Sequence, residues 1–200
     1  PKNTPKNTPK NTPELAPYSL PIHLDARGDQ TNCHIGYRAK RNTPLIDVER
    51  INHYHVRDYW ERIEVSVDDA ATILDPAEFY IFASQEAVEI PPNYAAELAP
   101  ISTEVGEFRV HYAGFFDPGF GWSENGQNNG KNNGKNNGQH AARAVLEMRA
   151  HNVPFRIEHG QNIGKLMFEP LLDVPDLLYG KDLNSNYQGQ GLKLSKHFKT

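Results

Sequence analysis

Arg143-Ala144-Val145-Leu146-Glu147-Met148-Arg149 decides how this chain is read. Side chains alternate faces along a strand, so Ala144, Leu146 and Met148 form an apolar face while Arg143, Val145, Glu147 and Arg149 point the other way. Such a strand gives one face to the core and the other to solvent or chemistry, and its single carboxylate, Glu147, stands in the middle. Working outward, the apolar runs stay short: Glu78-Phe79-Tyr80-Ile81-Phe82-Ala83, Glu86-Ala87-Val88-Glu89-Ile90 and Phe108-Arg109-Val110-His111-Tyr112. Short runs bounded by frequent turn residues predict an all-β domain: a sandwich, jelly roll or barrel. Hairpins are expected at Asp117-Pro118-Gly119 and near Glu158-His159-Gly160. Helical periodicity is weak and confined to residues 48–62 and 94–98, so little helix is expected.

The chain has 200 residues, 38% of them hydrophobic, which is enough for one domain with a real core and no staples. A formal charge of −4 leaves no broad electrostatic footprint for duplex nucleic acid or an anionic membrane. Any phosphate binding must be local. Cys33 is the only cysteine, so no intrachain disulfide can form and no multi-thiolate zinc site can be built. No apolar run approaches the ~18 residues of a membrane span, and a cytoplasmic location is expected.

Two tracts stand apart. Residues 1–12 are three copies of PKNT, polar and proline-spaced, and residues 1–13 read as a disordered leader. Residues 125–139 repeat Asn, Gly and Lys or Gln and read as a flexible loop interrupting a domain that spans 14–198. Because the chain starts at Pro1 rather than at a methionine, a fragment or processed chain is expected.

The run Val110-His111-Tyr112-Ala113-Gly114-Phe115-Phe116-Asp117-Pro118-Gly119-Phe120-Gly121-Trp122 resembles the β-hairpin motif of the dUTPase superfamily. Three further stretches follow in family order and resemble the dCTP deaminase branch. They are Ala144-Val145-Leu146-Glu147, then His159-Gly160-Gln161 with Gly164-Lys165-Leu166-Met167-Phe168-Glu169-Pro170-Leu171, and finally Tyr187-Gln188-Gly189-Gln190-Gly191. The resemblance covers roughly residues 75–198. It implies a distorted jelly roll, a β-clip barrel of the dUTPase type, assembled as a trimer. It also implies hydrolysis of dCTP to dUTP and ammonia, a step in pyrimidine deoxynucleotide metabolism that breaks the C–N bond of a cyclic amidine. Magnesium would ride on the substrate triphosphate, with no zinc. The residues agree about zinc, because zinc-dependent base deaminases need a His-x-Glu and a Pro-Cys-x-x-Cys pattern that one cysteine cannot supply.

Carried over by position, the resemblance makes Glu147 the general base that takes a proton from water and later returns one to the departing amine. It places Asp117 by the deoxyribose and the backbone of Val145 and Leu146 near the base. Ala113 falls where backbone helps hold the water, Tyr179 and Tyr187 pack against the nucleotide, and Gln190 matches the closing glutamine. One position departs. The family's phosphate loop reads Ser-Ser-x-x-x-Arg, and ungapped alignment from the Asp117 hairpin puts Glu104 at the arginine, a charge that repels phosphate. A basic position just before the Asp motif is Phe115. The chain therefore resembles the second copy of a fused, double-length bacterial dCTP deaminase, whose phosphate loop would come from the other copy.

Plainer readings compete at each position. Glu147 alone reads as a strand carboxylate paired with Arg149 about 7 Å away, and Asp117-Pro118-Gly119 alone is a turn. His53 and His55 lack a third metal ligand and take no role. His111 and His159 read as structural. Lys193, Lys196 and Lys199 read equally as solvated tail or phosphate contacts, and Phe115-Phe116 as interface packing. Two other functions stay open: a catalytically silent copy that completes an assembly, favoured by Glu104, and a dUTP diphosphatase, which needs an activated water at the phosphates.

Overall fold

A computed structural model describes residues 18–28, 33–66, 68–100, 108–112, 115–122, 142–180 and 191–199, without the side chains of 100 and 108–112. The repeats expected as leader and loop, at 1–13 and 125–139, lie outside the described residues. In chain order come β1 (Ser19–His23), β2 (His34–Ala39), α1 (Val56–Tyr59), β3 (Trp60–Glu64), β4 (Ala71–Leu74) and β5 (Tyr80–Val88). There follow β6 (Tyr94–Pro100), β7 (Phe108–Tyr112), β8 (Phe115–Phe116), β9 (Ala142–Ala150), β10 (Phe155–Glu158) and β11 (Asn162–Pro170). Strands dominate and α1 is a single turn, as the short apolar runs predict. No helix among the described residues is long and apolar enough to cross a membrane.

The strands form a five-stranded sheet ordered β3-β2-β5-β9-β7, a four-stranded sheet ordered β1-β11-β6-β8, and the pair β10-β4. All pairings between these strands are antiparallel. The main core lies between the two larger sheets: Ile22, Leu98 and Leu166 come from one, and Ile35, Phe82, Leu146 and Met148 from the other. Each such side chain, fully buried, contributes about 1.5–3 kcal/mol relative to exposure. Alternation along β9 follows the reading, with residues 142, 144, 146, 148 and 150 buried and 143, 145, 147 and 149 turned away from the core.

A second apolar cluster covers the other face of the five-stranded sheet. Tyr59, Ile81, Leu194 and Phe198 are its buried members, with Tyr37, Trp60, Phe79 and Val145 packed around them. The C-terminal residues reach it because Asn52 and His53 donate their N–H groups to the Lys196 and His197 carbonyls at 2.9 Å, and Lys199 donates to Tyr54 O at 2.8 Å.

Four expectations need correction, the last at the Asp117 turn. Residues 94–98, weakly helical in pattern, form strand β6, because pairing with β11 and burial of Ala96 and Leu98 outweigh the helix propensity of Ala-Ala-Glu-Leu. Of residues 48–62 only Val56–Tyr59 is helical, since the stretch before it, with Asn52 at φ 50°, is held by the C-terminal residues instead. The turn at 158–160 forms, but β10 pairs with β4 and not with β11, so it is a corner between sheets and not a hairpin.

No hairpin closes at Asp117, contrary to expectation, because β8 before it pairs with β6 whereas the next described strand, β9, pairs with β5 and β7. The turn itself forms, with Phe120 N–H donating to Asp117 O at 3.0 Å. Its glycines are required. Gly121 sits at φ 68°, and a Cβ there would lie 2.2 Å from Val88 O. Gly121→Ala is therefore expected to destabilise the domain by about 1–3 kcal/mol, read as a lowered urea midpoint with an unchanged slope.

Candidate active site

β9 carries three of the expected site residues, and its position explains why they are fixed. It is paired on both sides, with Glu147 opposite Ile81 of β5 and opposite His111 of β7. Glu147 is half-buried on the face away from the core, flanked along the strand by Val145 and Arg149. On its β5 side the rung continues through Ile81 to Tyr37 of β2. Burial pushes the Tyr37 phenol pKa up, against a smaller opposing effect of Arg62. Val145 packs against the cluster of Tyr59, Ile81, Leu194 and Phe198, so one side of Glu147 borders an apolar surface. A carboxylate beside such a wall has fewer waters to compete for its lone pairs, which suits proton abstraction from one held water.

The register also sorts the backbone groups. Ala144 N–H is aimed at β5, where it meets Ser84 Oγ at 2.9 Å. Alternation then turns the N–H and C=O of Val145 toward the β7 side and those of Leu146 back toward Phe82. Val145 thus presents its backbone on the side where Tyr112, opposite Leu146, leads into Ala113. Ala113 itself lies outside the described residues, as do Tyr187 and Gln190. The Leu146 side chain is fully buried in the core.

Asp117 and Tyr179 are brought together by a second set of contacts. Asp117 is exposed at the start of its turn. Tyr179 N–H donates to Pro118 O at 3.0 Å, and its ring lies 5.7 Å from that of Phe120. A Cβ at Gly119 would meet Tyr179 O at 2.8 Å, so only glycine allows this approach. The turn packs against the beginning of β9, where a Cβ on Gly121 would stand 2.9 Å from Ala142 N, whereas Glu147 lies five residues further along.

The entry of β9 is held by a polar network that the sequence does not announce. Arg143 Nε donates to Ser84 O at 2.6 Å, and its terminal nitrogen meets Asp25 Oδ2 at 2.5 Å. Ser84, fully buried at a bulge in β5, donates to Glu86 O at 2.7 Å. Glu86 in turn holds His23 through both the ring Nδ1 and the backbone N–H. Removing Arg143 would leave the Asp25 carboxylate, 13% exposed, without its guanidinium.

The plainer pairing of Glu147 with Arg149 is not what the second residue adopts, since the Arg149 guanidinium lies over the Phe79 ring, 4.8 Å from its centroid. His53 and His55 are engaged locally, by Arg50 at 3.2 Å and Lys199 at 3.1 Å. No group of three His, Cys, Asp or Glu among the described residues could hold a metal ion. His159 sits in the corner turn and accepts the Ala26 N–H at 3.3 Å.

Comparison with known proteins gives this geometry a context. A solved structure, that of 2'-deoxycytidine 5'-triphosphate deaminase from Agrobacterium tumefaciens, superposes with a TM-score of 0.66 at 45% identity, covering 78% of this chain and 42% of that one. A protein named "dCTP deaminase, dUMP-forming" from Pseudarthrobacter chlorophenolicus is 30% identical over 64% of this chain and 58% of its own length. One of the same name from Corynebacterium jeikeium is 31% identical over 62% of this chain and 57% of its own length. The chain thus spans a little over half the length of these curated relatives and under half of the solved deaminase. Residues 8–198 match the family described as 2'-deoxycytidine 5'-triphosphate deaminase (DCD), C-terminal domain, and the chain belongs to that family.

Proposed function

We propose that this domain deaminates dCTP hydrolytically, with Glu147 as general base. The observation that carries the reading is Glu147 itself: a half-buried carboxylate on the non-core face of a strand paired on both sides, beside an apolar wall. A scaffold strand has no physical need for a carboxylate there. Glu147 takes a proton from water as its oxygen attacks C4 of cytosine. The C4=N3 π pair moves to N3, which receives that proton, and the tetrahedral carbon then holds both hydroxyl and amine. Glu147 takes the hydroxyl proton as C4=O forms and passes it to the amine nitrogen, so that the C–N bond breaks and ammonia leaves. Val145 offers backbone groups toward the base, and Asp117 and Tyr179 line the sugar side.

Magnesium would ride on the substrate triphosphate and neutralise phosphate charge there. A zinc-bound water is not part of this reading, since the chain has one cysteine. Glu104 at the phosphate-arginine position supports a site completed by another copy of the fold, either fused or in a trimer. The same substitution favours the second reading, a silent copy that completes a neighbour's site.

The relatives' names specify dUMP as product. Deamination alone yields dUTP and ammonia. Forming dUMP requires a second water and releases pyrophosphate. Assaying ammonia, pyrophosphate and the uracil nucleotide from magnesium–dCTP separates these outcomes: ammonia with dUTP marks simple deamination, ammonia with pyrophosphate marks the coupled reaction, and neither product supports the silent copy.

A further inference from the structure

We infer that the apolar loop of residues 44–51 is a docking surface for the loop of residues 171–178 on a second copy of this chain. Leu45, Val48 and Ile51 are 95%, 71% and 59% exposed, and Ile46 beside them is exposed as well. A lone exposed aliphatic is ordinary. Four within seven residues form a patch on the order of a few hundred Å², the size that marks an interaction site. The backbone beneath them is pinned, so the patch is preorganised. Asp47 N–H donates to Tyr54 Oη at 2.7 Å, Arg50 N–H donates to Asp47 O at 3.2 Å, and His197 Nε2 lies 3.0 Å from Val48 O.

A second patch of the same kind lies on another loop. Leu172, Val174 and Leu177 are each at least half exposed. Their loop is fixed at both ends, by Leu171 N–H donating to Asn93 O at 2.9 Å and Tyr179 N–H donating to Pro118 O at 3.0 Å. The two patches differ in charge. Residues 171–178 contain Asp173 and Asp176 and no lysine or arginine. Around the first patch, Asp47 is already held by Arg50 at 3.1 Å, and the exposed Lys196 and Lys199 border it through backbone bonds with Asn52 and Tyr54, outnumbering Glu49. Either patch set against its own copy would meet like charge, whereas one set against the other meets opposite charge. That complementarity selects a head-to-tail contact between identical chains, which closes as a ring when the rotation allows. With both patches and their rims covered, the contact reaches about 1,000 Å², where weak specific interfaces begin. The 171–178 loop leads into Tyr179 and the Asp117 turn, so the docked copy approaches the site from its sugar side.

The choice of a copy of this fold as partner rests on the deaminase reading, in which Glu104 and Phe115 leave the site unfinished on one chain. The contact itself needs no chemistry. The test is analytical ultracentrifugation of the wild-type chain, Leu45→Asp, Leu172→Asp and an equal mixture of the two variants, beside circular dichroism and ammonia release from magnesium–dCTP. The wild type is expected to associate with a Kd in roughly the micromolar range, and each variant alone to associate at least about tenfold more weakly. The mixture should regain association, because the intact 44–51 loop of Leu172→Asp meets the intact 171–178 loop of Leu45→Asp. Val48→Asp and Leu177→Asp repeat the design if either first variant loses its circular dichroism. A wild type that stays monomeric, variants that associate as the wild type does, or a mixture that regains nothing overturns the inference. Association with this pattern but without ammonia release removes the deaminase reading and leaves the docking surface standing.

Discussion

Glu147→Gln is expected to fold as the wild type does and to lose dCTP deamination by about a hundredfold to ten-thousandfold, the range a positioned general base contributes. The substitution keeps shape and hydrogen-bonding atoms while removing the basic oxygen. Glu147 points away from the core, and the strand is held by its buried neighbours Leu146 and Met148 and by ladders on both sides. Urea midpoint and circular dichroism should therefore match the wild type, and substrate binding should survive. A variant that turns over dCTP at more than a tenth of the wild-type rate would return Glu147 to the plainer role of a strand carboxylate.

The second large effect is on stability. Phe198, 5% exposed, packs its ring 5.6 Å from Tyr59, 6.0 Å from Trp60 and 6.4 Å from Tyr54, and its neighbours in the chain are bonded to residues 52–54. Truncating a buried phenylalanine to alanine costs about 3–5 kcal/mol, a large share of the 5–15 kcal/mol of a typical domain. Phe198→Ala should lower the urea midpoint accordingly and speed hydrogen exchange at the amides of Asn52, His53 and Lys199 first. It should also lower activity, because Ile81 and Val145 lose cover beside Glu147. A loss below about 1 kcal/mol with unchanged exchange would mean that the C-terminal residues rest on the sheet without supporting it.

What the sequence revealed follows from the range of the interactions. Period-two alternation in residues 142–150 and the apolar runs of β5 and β11 are local patterns, so the all-β character and the outward face of Glu147 could be read directly. Ala95-Ala96-Glu97-Leu98 carries a helical preference that only its partner β11 overrides, and that partner is about seventy residues away. Leu194 and Phe198 are isolated apolar residues among lysines, with no periodicity to mark them as the lid of a second cluster. The Asp25–Arg143 pair joins residues 118 apart, and nothing local distinguishes either from a surface charge. Val145, Leu146 and Glu147 lie on one strand, a local arrangement that the alternation of residues 142–150 marks. The approach of Tyr179 to the Asp117 turn is written in neither segment, since it depends on close packing against Gly119. The place of Arg149 over Phe79 is likewise tertiary, joining residues seventy apart in the chain.

The most direct test of the central claim is the fate of dCTP in heavy-oxygen water. With magnesium and the wild-type chain, one labelled oxygen should appear on the uracil ring for each ammonia released, and Glu147→Gln should suppress both together. Unchanged dCTP after prolonged incubation with the folded chain, or ammonia release that persists undiminished in Glu147→Gln, would contradict hydrolytic deamination by this residue.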